Sequence, residues 1–450
     1  MKVSKRLLIP LLTAVLPGSA LVVTTPCTAQ SEAPYRLTIR DAIERGLKAN
    51  LSVLVSGTRI AEAEGTRERR FSSLLPHARI ETPVTVQSRS LKAQGISFPG
   101  APDIVGPFST YDFRAYADQS LFDRQLYHGW KASEKQLQAT RDDYQDARNL
   151  IIRQIAGLYL NAESAAAQVT AAQSRVNTSQ ALFKLASDQH DVGTATGVDV
   201  LRAQVQLAND RQSLLEARNS AREALIVLAR NIGLSLGTSI ELADTLHFQA
   251  LESPQIITAL DAALAGRADY QSLAEQRASL VEQSKASRAR YLPRVGISGN
   301  YGGIGRSVGG VVGTGQIQGS LTLTLFDRDR EGEQKEVASR LQRIDQQIAD
   351  LRLGIEEDIR VAMLNLESAA EEVTVAQGGL ELAERELTMA SDRFQNGITN
   401  NIEVVNAQDS LARAQQNSIV ALTRHADAKI ALARALGDTE KIYEPYLGIQ

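Results

Sequence analysis

Cysteine is nearly absent: Cys27 is the only one in 450 residues, beside five histidines and one tryptophan. A chain cut after Ala29 would hold no thiol, which excludes a disulfide framework and a thiolate metal site. His77, His128, His190, His247 and His425 are scattered, with no HExxH pattern. No metal and no cofactor are expected. Aromatic residues make up 5% of the chain, low for an all-β protein. A net charge of −3, with no Lys/Arg patch interleaved with aromatics, argues against a nucleic-acid partner. The glycine-rich stretch 302–315 lacks GxxxxGK[ST], and no GxGxxG opens a helix after a strand, so no nucleotide site is expected. The run Asp327 to Glu331 reads as a solvated junction and Glu356-Glu357-Asp358 as a polar helix face. No catalytic constellation remains, and the chain is not read as an enzyme.

Proline is missing between Pro107 and Pro254 and again between Pro293 and Pro445, so uninterrupted long helices are possible there. Long apolar runs are missing too. The run after MKVSKR is broken by Pro10 and by Pro17-Gly18 and falls short of the ~20 residues that a span needs. Three positive charges, an apolar stretch and small residues before Gln30 make residues 1–29 a signal peptide, cut after Ala29 or at Ala20. Thr24, Thr25 and Pro26 are poor lead residues for lipidation of Cys27. The chain is expected to be exported.

What is present is a repeat. The stretch DVGTATGVDVLRAQ at 191–204 recurs as NGITNNIEVVNAQ at 396–408, with Gly193 and Gly397 standing 204 residues apart. The same spacing places Leu121-Phe122-Asp123 on Leu325-Phe326-Asp327, and Leu228-Ala229-Arg230 on Leu432-Ala433-Arg434. Leu75-Pro76 recurs as Leu292-Pro293 at a spacing of 217. The chain is a tandem duplication of a unit of roughly 200 residues, a feature to settle before any fold is proposed. The first repeat spans 30–240, the second 241–437, and 438–450 is a C-terminal tail.

In each unit apolar residues recur in alternating steps of four and three. The first series runs Ile151, Ile155, Leu158, Ala162, Ala165 and onward to Ala186. Its counterpart runs from Ile355 to Phe394. A 3.5-residue period held this long predicts a left-handed coiled-coil seam. A helix over 125–188 would be a rod about 95 Å long at ~1.5 Å per residue. Gly193 can supply a left-handed turn, after which Leu207, Leu214, Ala221 and Leu228 return at sevens. The expectation is two long helical hairpins, at about 125–233 and 329–437.

Before each rod the period drops to two. Ile80, Val84 and Val86 alternate with Arg79, Glu81 and Gln87; Tyr111, Phe113 and Ala115 alternate with Asp112, Arg114 and Tyr116. Strands are expected at about 78–88, 110–121, 294–302 and 316–326, near the ~9–11 residues that cross a bilayer as a tilted strand. Pro83 is tolerable at a bulge or strand end. A half-buried soluble hairpin alternates in the same way; the export signal and the attached rods favour the membrane. Four strands cannot close a barrel and open edges are not tolerated in lipid, so spanning strands would require assembly with copies of the chain.

These residues resemble the TolC-like outer-membrane factors, the exit ducts of efflux pumps and type I secretion systems. The likeness rests on LTIRDAIERGLKAN at 37–50, the two Leu-Pro pairs, the two Leu-Phe-Asp turns, the two tips followed by DVL or EVV, and the LAR closing each unit. It implies a mainly α protein with a membrane β-barrel. Each chain would carry a duplicated unit of long coiled-coil hairpins and four transmembrane strands. Three chains would then form a trimeric α/β-barrel duct through the outer membrane with a long periplasmic portion. It further implies passive conduction, with a homotrimer meeting outer-membrane lipid, a periplasmic adaptor (membrane fusion) protein and, through the adaptor, an inner-membrane pump. The alternative is an exported periplasmic coiled-coil scaffold without a pore.

Within that resemblance the tips are the candidate site. Val192, Gly193, Thr194, Asn396, Gly397 and Ile398 are candidate adaptor contacts, since glycine permits close backbone approach. Asp199 and Glu403, three copies each, are candidates for carboxylate rings that favour cations; a carboxylate in the first turn of a helix is also explained by the helix dipole. Phe394 occupies the aromatic place of the family's closed gate, whereas Ala195 and Thr399 stand at the arginine-like places.

Overall fold

Each Leu-Phe-Asp turn is where extended chain becomes helix. The computed structural model describes residues 34–96, 99–100, 102–245, 247–251, 254–437 and 439–447. The expected signal peptide at 1–29 lies outside them. The first unit runs β1 (Tyr35–Leu37), α1 (Ile39–Ala49), α2 (Leu51–Ser72), β2 (His77–Glu81), β3 (Val84–Ser90), β4 (Ile104–Phe122), α3 (Arg124–Asp191) and α4 (Gly197–Asn231). The second repeats that order as β5 (Ile240–Leu242), α5 (Ile256–Gly266), α6 (Ala268–Ala289), β6 (Arg294–Gly305), β7 (Val312–Thr322), α7 (Asp329–Gln395) and α8 (Asn401–Leu436). A last helix, α9 (Thr439–Leu447), lies in what the sequence reading treats as a tail. The 217-residue spacing, seen in the sequence only at Leu-Pro, also relates the start of α2 to the start of α6.

The Asp123 carboxylate accepts the N–H of Leu126 at 3.0 Å, and that of Asp327 accepts the N–H of Asp329 at 3.1 Å. Each satisfies a donor that a helix start leaves free. At 68 residues α3 is about 100 Å long. Its buried positions include Ile151, Ile155, Ala162, Ala165, Ala172 and Ala186, and those of α7 include Ile355, Ile359, Ala362, Leu366 and Val373. Two shorter helices accompany each rod. α2 and α6 lie along the halves nearer the sheet, tied by Glu64–Arg141 and Arg277–Asp345. α4 and α8 lie along the distal halves, as Arg211 to Gln180 and Arg424 to Glu372 record. Among the described residues no helix is long and apolar enough to cross a membrane.

Around the middle of α3 the two units lock together. β1 and β5, one from each unit, pair in parallel from Tyr35↔Ile240 to Leu37↔Leu242. The hydroxyl of Tyr159 reaches the carbonyl of Leu37 at 3.0 Å and the carboxylate of Asp244 at 2.8 Å, and Asp244 also accepts the N–H of Ile39. Leu37, Ile43, Ile152, Ile155, Leu228 and Ile430 form the apolar core there, with Tyr443 of α9 buried against them. Beside it an ion network built on two buried arginines joins α6, α7, α3 and α8: Arg267 binds Asp269 and the exposed Asp358, and Arg434 binds Asp146 at 2.6 Å.

The sheet is antiparallel, in the order β2/β3–β4–β6–β7. β2 and β3 follow one line along β4, interrupted at Thr82-Pro83, with the N–H of Asp112 still donating to the carbonyl of Pro83. One face carries Arg79, Glu81, Asp112, Arg114, Tyr116 and Asp118; the other carries Ile80, Val84, Val86, Tyr301, Ile317 and Leu321, all exposed. Strand limits differ from the sequence reading in both units: the strand expected at 78–88 is divided into β2 and β3, and β4 begins at Ile104 where 110 was expected. In the second unit the glycine-rich stretch 302–315, which falls between the two expected strands, is more than half strand, because ladder pairing with a neighbour outweighs weak intrinsic preference; β6 runs to Gly305, and β7 begins at Val312 and ends at Thr322. The charge run after it is not wholly solvated. Arg330 is 3% exposed, donates to the carbonyl of Thr324 and lies 4.2 Å from the Tyr291 ring.

Candidate functional site

Both hairpins turn through the same backbone device. At the first tip the N–H of Gly193 reaches the carbonyl of His190 and that of Thr194 reaches Gln189; at the second, Gly397 reaches Phe394 and Ile398 reaches Arg393. This pairing is the Schellman motif, whose central residue is left-handed. Gly193 has φ 81° and Gly397 φ 69°, and a Cβ on either would meet nothing within 4 Å, so the need for glycine comes from the dihedral and not from crowding. Val192, Gly193, Thr194, Asn396, Gly397 and Ile398 are all exposed at the distal end of the rods. Asn396 is tied by its side-chain amide to the carbonyl of Asp392 at 2.7 Å.

The three gate candidates are placed differently. Asp199 is 7% exposed, and its carboxylate accepts the N–H of Thr196 at 3.1 Å and the Thr196 hydroxyl at 2.6 Å. That geometry supports the helix-start reading. Glu403 is open to solvent in the first turn of α8, with Arg393 3.5 Å away. Phe394 is 4% exposed in an apolar cluster with Leu182, Ala186, Ala203, Val404 and Ala407, so it binds the two hairpins together. Val198, Leu201 and Val205 of α4 face Ile402 and Val405 of α8 across an apolar groove of about 340 Å³ just behind the tips.

Sequence reasoning missed the polar ties between the hairpins. Asn401 is fully buried and donates its amide to the carbonyl of Asp199 at 2.7 Å, 202 residues away. Within the first hairpin, farther from its tip, the Ser179 hydroxyl donates to the buried Asp210 carboxylate, with Gln408 of the second hairpin lining the same cavity. The only available signal was a break in the apolar seam at Ser179. Asn401 itself stands where the first unit has Gly197.

Residues 88–234 and 259–438 match the model of the outer membrane efflux protein family, one segment in each unit. A pyoverdine export outer membrane protein of Pseudomonas aeruginosa, OpmQ, is 22% identical over 402 residues, covering 88% of this chain and 84% of its own. Two solved structures share the fold. The CmeC outer membrane channel of Campylobacter jejuni superposes with a TM-score of 0.78 at 16% identity, covering 91% of this chain and 89% of its own. The outer membrane protein VceC of Vibrio cholerae gives 0.77 at 19%, covering 89% and 96%.

Proposed function

The chain belongs to the outer membrane efflux protein family, and from that membership we propose that it is the outer-membrane channel of a tripartite efflux or type I secretion system. Three copies form a passive exit duct gated at the periplasmic tips, and no reaction takes place in it. A periplasmic adaptor docks at the exposed tips, and an inner-membrane pump acts through that adaptor. The observation that carries this reading is the sheet. Its strands β2/β3 and β7 have no neighbour on their outer sides among the described residues, and one face is apolar and exposed. In lipid an unpaired edge costs several kcal/mol per group, so a spanning sheet of this kind must close with others. A scaffold without a pore would have no use for an apolar face opposite a charged one.

The mass of the detergent-solubilised protein tests this. Three chains per particle is the expected result, and a monomer that binds no detergent belt overturns it. The tip is tested in planar bilayers. Glu403 is the gate candidate with an open carboxylate, and three copies favour cations near the mouth. Glu403→Gln should lower cation preference with the trimer intact. Unchanged preference would return Glu403 to a helix-start role.

A further inference from the structure

The two rods leave the sheet in different ways. β4 ends at Phe122 and α3 begins at Arg124, so a single residue, Asp123, turns strand into helix. β7 ends at Thr322 and α7 begins at Asp329, which leaves residues 323–328 as a linker with no ladder partner among the described residues. Leu325 and Phe326 within it are 86% and 85% exposed, so nothing in the chain packs it from that side. A segment with so few buried contacts sits at the low end of local stability.

A clamp of two arginines stands where the backbone ladder stops. Arg330, in the first turn of α7, donates to the carbonyls of Thr324 at 2.9 Å, Arg290 at 3.3 Å and Asp327 at 3.3 Å, with its guanidinium over the Tyr291 ring. The planar fork has donors enough for all three. The Arg290 carbonyl lies at the end of α6, where a helix leaves its last carbonyls free and favours positive charge. Arg290 reaches the other way, binding Asp327 at 2.7 Å, Asp329 at 3.1 Å and Glu333 at 2.5 Å. Side chains thereby join the end of α6, the linker and the start of α7.

The first unit has no such clamp. At the 204-residue spacing Leu126, Gln125 and Gly129 stand at the places of Arg330, Asp329 and Glu333. At the 217-residue spacing Ser73 and Leu74 stand at those of Arg290 and Tyr291. A leucine fills the first unit's place, so Arg330 is not required there to fill space, and its buried charge is offset by the oxygens it holds.

We infer that the second rod hangs from the sheet on a swivel: Arg330 and Arg290 position the start of α7 and the linker takes up its movement, while the first rod is continuous with its strand. Hydrogen bonds to carbonyls accept a broad range of directions, whereas a ladder fixes register rung by rung. A shift of α7 can be absorbed at 323–328 with β6 and β7 still paired as far as Arg294↔Thr322. The swivel lies within one chain and does not depend on the assembly proposed above.

Distances between spin labels test it, in a Cys27→Ser background with labelled chains diluted into unlabelled ones. Gly319→Cys with Gly332→Cys spans the second junction, and an added Cβ meets nothing within 4 Å at either place. Ala117→Cys with Gly129→Cys spans the first, where Ala117 is exposed and Gly129 is equally free. The distance distribution across the second junction should be at least twice as wide as that across the first. Arg330→Leu, which installs the first unit's residue, should widen the second distribution further and leave the first unchanged. Equal widths in the parent overturn the swivel, and that comparison needs no variant of Arg330 to fold. A second-junction width that Arg330→Leu leaves unchanged overturns the positioning role of Arg330.

Discussion

Glu163 on α3 is 8% exposed and one carboxylate oxygen has no hydrogen-bond partner. Burial, and then the nearby charge of Asp244, raise its pKa to about 7. The folded chain therefore holds this proton more tightly than the unfolded chain does, so the contribution to stability is complete below about pH 4.5 and is lost as pH rises through 7. Glu163→Gln should be more stable than the parent at pH 8, by on the order of 2–3 kcal/mol, and the gap should close by pH 4. Thermal unfolding across that range is the measurement; a gap independent of pH would contradict it. His425 behaves in the opposite sense. Burial first, then the charge of Lys429, lower it to about 4, so its contribution is present above pH 6.5 and lost toward pH 4. Neither residue was legible as unusual in the sequence, because the groups that shift them come from elsewhere in the fold: Asp244 lies 81 residues from Glu163, and the Phe248 ring that packs on His425 is 177 residues away. The same holds for Gln204 and Gln408, one letter in one repeat context. The first is exposed and the second buried, since a repeat encodes local structure and not which copy finds a neighbour.

At the scale of elements the sequence was most informative where physics is local. The 3.5-residue period located the rods, the aspartate of Leu-Phe-Asp marked their starts, and two glycines marked their tips. It was least informative at the sheet, where the glycine-rich stretch leading into β7 resembles a loop until β6 pairs with it. The same residue type therefore has opposite consequences by position. Gly397 sits left-handed at φ 69°, and Gly354 lies inside α7, where a Cβ would meet nothing within 4 Å. Gly397→Ala should destabilise by about 1–2 kcal/mol, because an L side chain resists that conformation. Gly354→Ala should stabilise by roughly 0.5–1 kcal/mol, by reducing the freedom of the unfolded chain. Denaturant midpoints of the two variants would have to move in opposite directions; movement in the same direction would mean that the tip tolerates ordinary backbone.

At the scale of the whole molecule, the duplication explains why so much repeats and why the exceptions matter. Asn401 ties the two hairpins together, and its counterpart Gly197 has no side chain with which to make such a tie. The strand hairpin differs too: the spacing is 217 before the strands and 204 after them, so the first unit's hairpin is longer by the difference of thirteen residues. The sheet itself has a consequence for how the protein is made. In the assembly proposed above, an apolar face and two edges that have no neighbour among the described residues would exist as soon as one chain had folded, and would be covered when its siblings arrived. Such edges accept a correct neighbour or any other extended strand, so the solitary chain of that assembly would be both a recruit and a hazard. Biogenesis on this proposal is a race whose productive branch steepens with local concentration, in which a new copy must be shielded or delivered promptly beside its siblings and membrane entry belongs to the finished ring.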